Sequence, residues 1–154
     1  MTATGLATFD RTLHATNGWL QEIMEDLGPD RQVAWHSLGG VLRALRDRLP
    51  LDLAVHLGEQ LPLLVRGTYY GRWQPSNQPV KSRSLEEFLE PIGREFDDLR
   101  PVNVEDATRS VFRVLSLHVD RGELENVRQA LPEEVRRLWP DEFLQAAPAQ
   151  GKTA

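Results

Sequence analysis

Apolar residues recur along this chain at three- and four-residue steps, and prolines and glycines cut that rhythm into pieces. In the first piece Phe9, Leu13, Leu20, Ile23 and Leu27 follow the steps or their sums, and Trp19 widens the stripe. Such a stripe buries one face of an α-helix and does not fit a half-buried strand, whose period is two. Gly28 stops this helix before Pro29, while the Asn17-Gly18 pair weakens its middle and is expected to kink it. Asp30 is placed to cap a second helix with apolar positions Ala34, Leu38, Val41, Leu42, Leu45 and Leu49. Pro50 ends that helix and opens a third, where a missing amide proton does no harm. The third uses Leu53, Ala54, Leu57 and Leu61. After Pro62, residues 63–70 read as a short fourth helix ended by Gly71.

Residues 71–83, GRWQPSNQPVKSR, hold two prolines and no helical period, and read as a linker. Ser84 and Glu87 then form the pattern of a capping box. Leu85, Phe88, Leu89, Ile92 and Phe96 continue as a helix strained by Pro91 and Gly93. Asn103 caps the next, which carries Ala107, Val111, Val114, Leu115 and His118. Leu124, Val127 and Leu131 follow, and Pro132 restarts a last turn through Val135, Leu138 and Trp139. Residues 146–154 have nothing to pack and are expected to be a disordered tail.

The two halves match in order. Trp19-Leu20, Ile23 and Leu27 answer to Phe88-Leu89, Ile92 and Phe96. Ala34, Leu38, Val41, Leu42 and Asp47-Arg48 answer to Ala107, Val111, Val114, Leu115 and Asp120-Arg121. Leu61-Pro62, Val65-Arg66 and Tyr69 answer to Leu131-Pro132, Val135-Arg136 and Trp139. Polar pairs aligned in order with apolar positions point to an internal duplication. The expected fold is therefore all-α: one helical domain over residues 1–145, built from two diverged copies of a three-to-four-helix unit. The first unit spans about 7–70, the linker 71–83 and the second unit 84–140, packed around a pseudo-two-fold axis. Leu38, Leu42, Leu57, Val111 and Leu115 are expected in the core.

Composition narrows the function classes. A chain of 154 residues can bury one core. It has no apolar run long enough to span a bilayer, and residues 1–10 lack a secretory pattern, so no membrane role is expected. With no cysteine, disulfides, thiolate metal sites and thiol nucleophiles are excluded, and the cytoplasm is the expected compartment. The net charge of −5 argues against general nucleic-acid binding. Its distribution is uneven: residues 31–85 carry +5, against −4 for residues 1–30 and −6 for residues 86–154. A basic segment of this kind either steers an anionic partner or neutralises the acidic half of its own chain.

One stretch is specific. LRALRDRLPLDLAVHLGEQLPLLVRGTYYGRWQP resembles the bacterial "domain of unknown function 2267" family, through residues 46–50, Gln60 to Pro62, Arg66-Gly67, Tyr69-Tyr70, Gly71 and Trp73. The Glu-Glu-Phe-Leu start of the second unit (Glu86, Glu87, Phe88, Leu89) fits as well, and the resemblance extends over roughly residues 9–140. It implies a small bacterial all-helical protein and supplies no activity, substrate or catalytic residue.

The candidate site residues lie around that stretch. Arg43, Arg46, Arg48, Arg66 and Arg72 can bind phosphate or carboxylate through paired donors. Alternatively Arg46 or Arg48 pairs with Asp47 or Glu59 and braces the turn at Pro50. Bracing is the preferred reading, since both units close a similar turn. Tyr69, Tyr70 and Trp73 either form a protein-binding hot spot with Arg66 and Arg72 or cover the core. Tyr69 is expected to be buried like Trp139, and Tyr70 or Trp73 to be partly exposed. His14, His36, His56 and His118 show no metal-ligand spacing, and neither a serine elbow nor a glycine-rich phosphate loop occurs. Glu22, Glu25 and Asp26 have no partner that marks an acid–base pair.

These readings give a ranking. The first is a non-catalytic protein-interaction module, self-association included, that meets an unknown protein partner through Tyr70, Trp73, Arg66 and Arg72. The second is a binder of an anionic ligand or nucleic acid through Arg43, Arg46, Arg48, Arg66 and Arg72. An enzyme with an unfamiliar helical site comes third. Neither a cofactor nor a metal is expected.

Overall fold

The structure, a computed structural model, describes residues 3–81 and 84–143. The expected tail at 146–154 and the end of the linker lie outside the described residues. Among those described, the regular elements are all helical. They are α1 (Ala7–Leu27), α2 (Arg31–Arg48), α3 (Leu51–Glu59), α4 (Leu63–Tyr69), α5 (Leu85–Arg94), α6 (Val104–His118), α7 (Arg121–Gln129) and α8 (Glu133–Arg136). A single 3-10 turn, Pro75–Asn77, interrupts the segment read as a linker.

Local chemistry sets these boundaries. The Asp30 carboxylate accepts from the amides of Gln32 (2.9 Å) and Val33 (3.3 Å), giving two orphan donors of α2 a partner. Asn103 does the same for α6 through Asp106 N (2.9 Å), and Asp120 caps α7 through Glu123 N (3.0 Å). Ser84 and Glu87 form the full capping box at α5. Gly28 ends α1 at φ 104°, a conformation that a side chain resists. Pro50, Pro62 and Pro132 each stand just before their helices, at the cap and not in the first turn. The expected kink at Asn17-Gly18 does not interrupt α1.

Helices α2 and α6 form the middle of the molecule and touch each other. Helix α1 packs on both, and so does α5; α3 meets α7, α1 lies against α4, and α5 against α8. Leu38, Leu42, Leu57, Val111 and Leu115 are all fully buried, as expected. Phe112 joins them, stacked on Trp139 with ring centroids 4.1 Å apart. Phe143 closes the same corner and is buried beyond the expected end of the second unit.

Three expectations need correction. Phe9 and Leu13 extend the α1 stripe yet are 50% and 40% exposed, because α1 outruns the surface that α2 and α6 offer. His118 is exposed as well, with its ring stacked on Trp19 (4.9 Å) and bonded to Glu22 (2.6 Å). The match of Asp47-Arg48 with Asp120-Arg121 fails: the first pair closes α2, whereas Asp120 caps α7 and Arg121 begins it.

Candidate functional site

The turn that follows α4 brings the aromatic residues together with Arg46 and Arg72. Tyr69 ends α4 with its ring buried and its hydroxyl donating to Ala54 O at 2.5 Å. Burial raises its pKa well above the usual phenol value, so it remains a neutral donor. Arg72, at φ 55°, reverses the chain and lays Trp73 back over Tyr70, ring centroids 5.4 Å apart. Tyr70 fits because α3 has a glycine beneath it. A Cβ at Gly58 would sit 2.3 Å from the Tyr70 hydroxyl oxygen.

Arg46 is the strut under this turn. It is only 4% exposed, and its Nη1 donates to Tyr69 O and Gly71 O, each at 2.8 Å. Its Nε donates to Asp47 at 2.9 Å, and its guanidinium lies 5.8 Å from the centre of the Trp73 ring. The Gln78 amide donates to Arg46 O and Leu49 O while its oxygen accepts from Trp73 Nε1 (3.1 Å). Val80 N adds a bond to Asp47 O. Three carbonyls at the C-terminal end of α2 thus accept from Gln78 and Val80. This part of the expected linker is a strap fastened to α2.

The five arginines named from the sequence do not converge. Arg43 pairs with Glu95 (2.8 Å) and donates to Thr68 Oγ1 (2.7 Å). Arg48 donates to Glu87 O (3.0 Å) beside the Phe88 ring, and burial lowers its pKa against the opposing pull of Asp47 and Glu87. Arg66 donates to the carbonyls of Glu59 (3.2 Å) and Leu61 (3.1 Å). Arg72 alone of the five has no hydrogen bond or ion pair among the described residues, and it is exposed. Tyr70 and Trp73 are half-buried.

Sequence reasoning missed the exposed apolar surface beside this turn. Leu51 and Val55 on α3 are 46% and 39% exposed, and the Tyr70 hydroxyl reaches Val55 O at 3.4 Å. Leu63 and Leu64 on α4 are 51% and 43% exposed, next to the uncovered start of α1 with Leu6, Phe9 and Leu13. The available signal was positional: Glu133-Glu134 occupy the places after Pro132 that Leu63-Leu64 occupy after Pro62. No three His, Asp or Glu side chains among the described residues assemble into a metal site.

The protein-family model described as "Uncharacterized conserved protein (DUF2267)" matches residues 16–138. No curated protein matches the chain.

Proposed function

The chain belongs to the DUF2267 family, and from that premise we propose that it is a non-catalytic protein-interaction module whose partner surface lies on its first half. The reading includes a duplicated architecture with a pseudo-two-fold axis. Supporting it, Asp26 of α1 accepts from Arg113 of α6 (2.9 Å), much as Glu95 of α5 accepts from Arg43 of α2 (2.8 Å). In that alignment α3 and α4 correspond to α7 and α8.

One observation carries the function. Exposed Leu51, Val55, Leu63 and Leu64 stand where the second half has Arg121, Glu125, Glu133 and Glu134. The same helical frame therefore closes with charged residues at those places, and the apolar ones are not needed to build it. Exposed apolar surface of this kind marks contact with another protein. Tyr70 and Trp73 join it through Val55, whereas Arg66 is engaged in bracing and Arg72 lies beside Pro91, Arg94 and Glu95 of the α5 region. The anion reading has less support, because four of its five arginines are tied to carbonyls or carboxylates. A bacterial, cytoplasmic setting is part of the proposal. It is supported by the family resemblance, the lack of cysteine and, among the described residues, the lack of a helix long and apolar enough to cross a membrane.

The test borrows the second half's own residues. The double variant Val55→Glu, Leu64→Glu should keep its stability within about 0.5 kcal/mol, the usual range for surface substitutions. It should lose self-association in sedimentation equilibrium, or lose the proteins that the wild type captures from native extract. A wild type that stays monomeric and captures nothing sinks the proposal, as does a variant that associates undiminished.

A further inference from the structure

We infer that the open cleft between α1, the α3–α4 turn and the end of α6 binds a small organic anion, a carboxylate on a flat apolar body. The cleft holds about 450 Å³, within the ordinary range for ligand sites. It shares Leu63 with the interaction surface proposed above, but the argument for it does not rest on that reading.

What distinguishes the cleft is the state of its polar groups. Gln60 Oε1 accepts from the Asp120 amide (2.9 Å), and the NH2 has no partner among the described residues. Thr12 Oγ1 accepts from Leu64 N (3.0 Å), which leaves its O–H to donate. Arg66 spends Nη2 on two carbonyls, and its Nη1 has no partner among the described residues. Arg11, on the facing wall, is exposed and among the described residues is bonded to Thr8 Oγ1 (3.3 Å) and to no carboxylate. No Asp or Glu among the described residues lines the cleft. Four donors, two of them guanidiniums, thus face a concavity whose acceptors are largely taken by the protein itself. An acceptor-only group with negative charge fits such a wall, since charge-assisted bonds are the strong ones.

The rest of the lining sets the body of the ligand. Trp19 and His118 stack at one end, 18° from parallel, and Pro62 and Leu63 supply the accessible apolar surface over the buried Trp19 and Leu61. The second half has no equivalent. Ala130 and Glu133 stand at the places of Gln60 and Leu63, and α5 lacks the extra turns that carry Arg11.

Benzoate is the probe, titrated into isotope-labelled full chain and followed by amide and indole NMR shifts. It should move Thr12, Gln60, the Gln60 side-chain NH2 and the Trp19 indole together, and neutral benzamide should bind at least about tenfold more weakly. Gln60→Glu keeps an oxygen for Asp120 N and replaces the donor with an acceptor, so it should abolish binding. Arg11→Glu, at an exposed position, should also weaken binding at least about tenfold while the rest of the spectrum stays folded. Inorganic phosphate, lacking the apolar body, should bind more weakly than benzoate. Equal binding of benzamide, phosphate tighter than benzoate, undiminished binding by Gln60→Glu, or shifts confined to other surfaces would each overturn the assignment.

Discussion

Residues 61–69 and 131–139 make the same turn with different outer surfaces. In both, a proline precedes a short helix, a valine is fully buried, and an arginine ties back to the carbonyl two residues before the helix begins. Arg66 Nη2 reaches Leu61 O at 3.1 Å, and Arg136 Nε reaches Leu131 O at 2.8 Å. Both segments end on a buried ring, Tyr69 or Trp139. Outside, the first shows Leu63 and Leu64 and the second Glu133 and Glu134. The inward residues answer to packing, which both turns must satisfy. The outward residues differ in what they bond: Glu134 accepts from Leu85 N at 3.2 Å and Glu133 from Arg137 at 3.4 Å, whereas the Leu63 and Leu64 side chains can make no such bond.

The strongest way to break this comparison is to empty the ring positions. Tyr69→Ala and Trp139→Ala should each destabilise the fold by about 3–5 kcal/mol in chemical denaturation, the range for truncating a buried aromatic. Trp139 loses its stack on Phe112, and Tyr69 loses its packing and the bond to Ala54 O. Tyr69→Phe keeps the ring and should show only about 1 kcal/mol, the net contribution of a hydrogen bond. A Tyr69→Ala loss below about 1 kcal/mol would mean that the two rings do different jobs.

A smaller effect sharpens the same comparison. Arg66→Ala and Arg136→Ala should each lower stability by about 1–2 kcal/mol, because each leaves a carbonyl of its turn without its donor. Equal losses would show that both arginines are braces. A loss at Arg136 alone would mean that the Arg66 bonds add nothing to the fold.

Helix order, most caps and the buried positions were legible in the sequence because each depends on residues within one or two turns. Asp30, Ser84 and Asn103 announced their helices, and Leu38, Leu42, Val111 and Leu115 announced the core. What stayed hidden depends on distance. Gln78 meets Arg46 and Leu49 across some thirty residues of chain, so the strap read as a linker. Periodicity shows which face of α1 is apolar but not how far its neighbours reach, so Phe9 and Leu13 read as core. Clustering of arginines in sequence says nothing about where each guanidinium points, and here four of them point at different carbonyls and carboxylates. The turn after α2 slipped in the comparison of halves because α6 has 15 residues against 18 in α2.

The smallest effect concerns the ion pairs that join each half's first helix to the other half's second. Glu95 accepts from Arg43 at 2.8 Å and lies 3.4 Å from His36 Nδ1. Burial alone would raise its pKa, but the bond and charge of Arg43, followed by those of His36, outweigh it and hold the carboxyl below its ordinary value of 4.5. A carboxylate depressed in the folded state binds its proton more weakly there than in the unfolded chain. Its contribution to stability is therefore complete above the ordinary carboxylate range and is lost as pH falls through the depressed value. Glu95→Gln should accordingly be less stable than wild type near neutral pH, with the gap closing as the solution is acidified below about pH 4. Urea denaturation of both proteins at a series of pH values measures that gap. A gap that stays constant down to acid pH would show that Glu95 contributes packing and not charge, and that the pairing with Arg43 adds nothing to the joint between the halves.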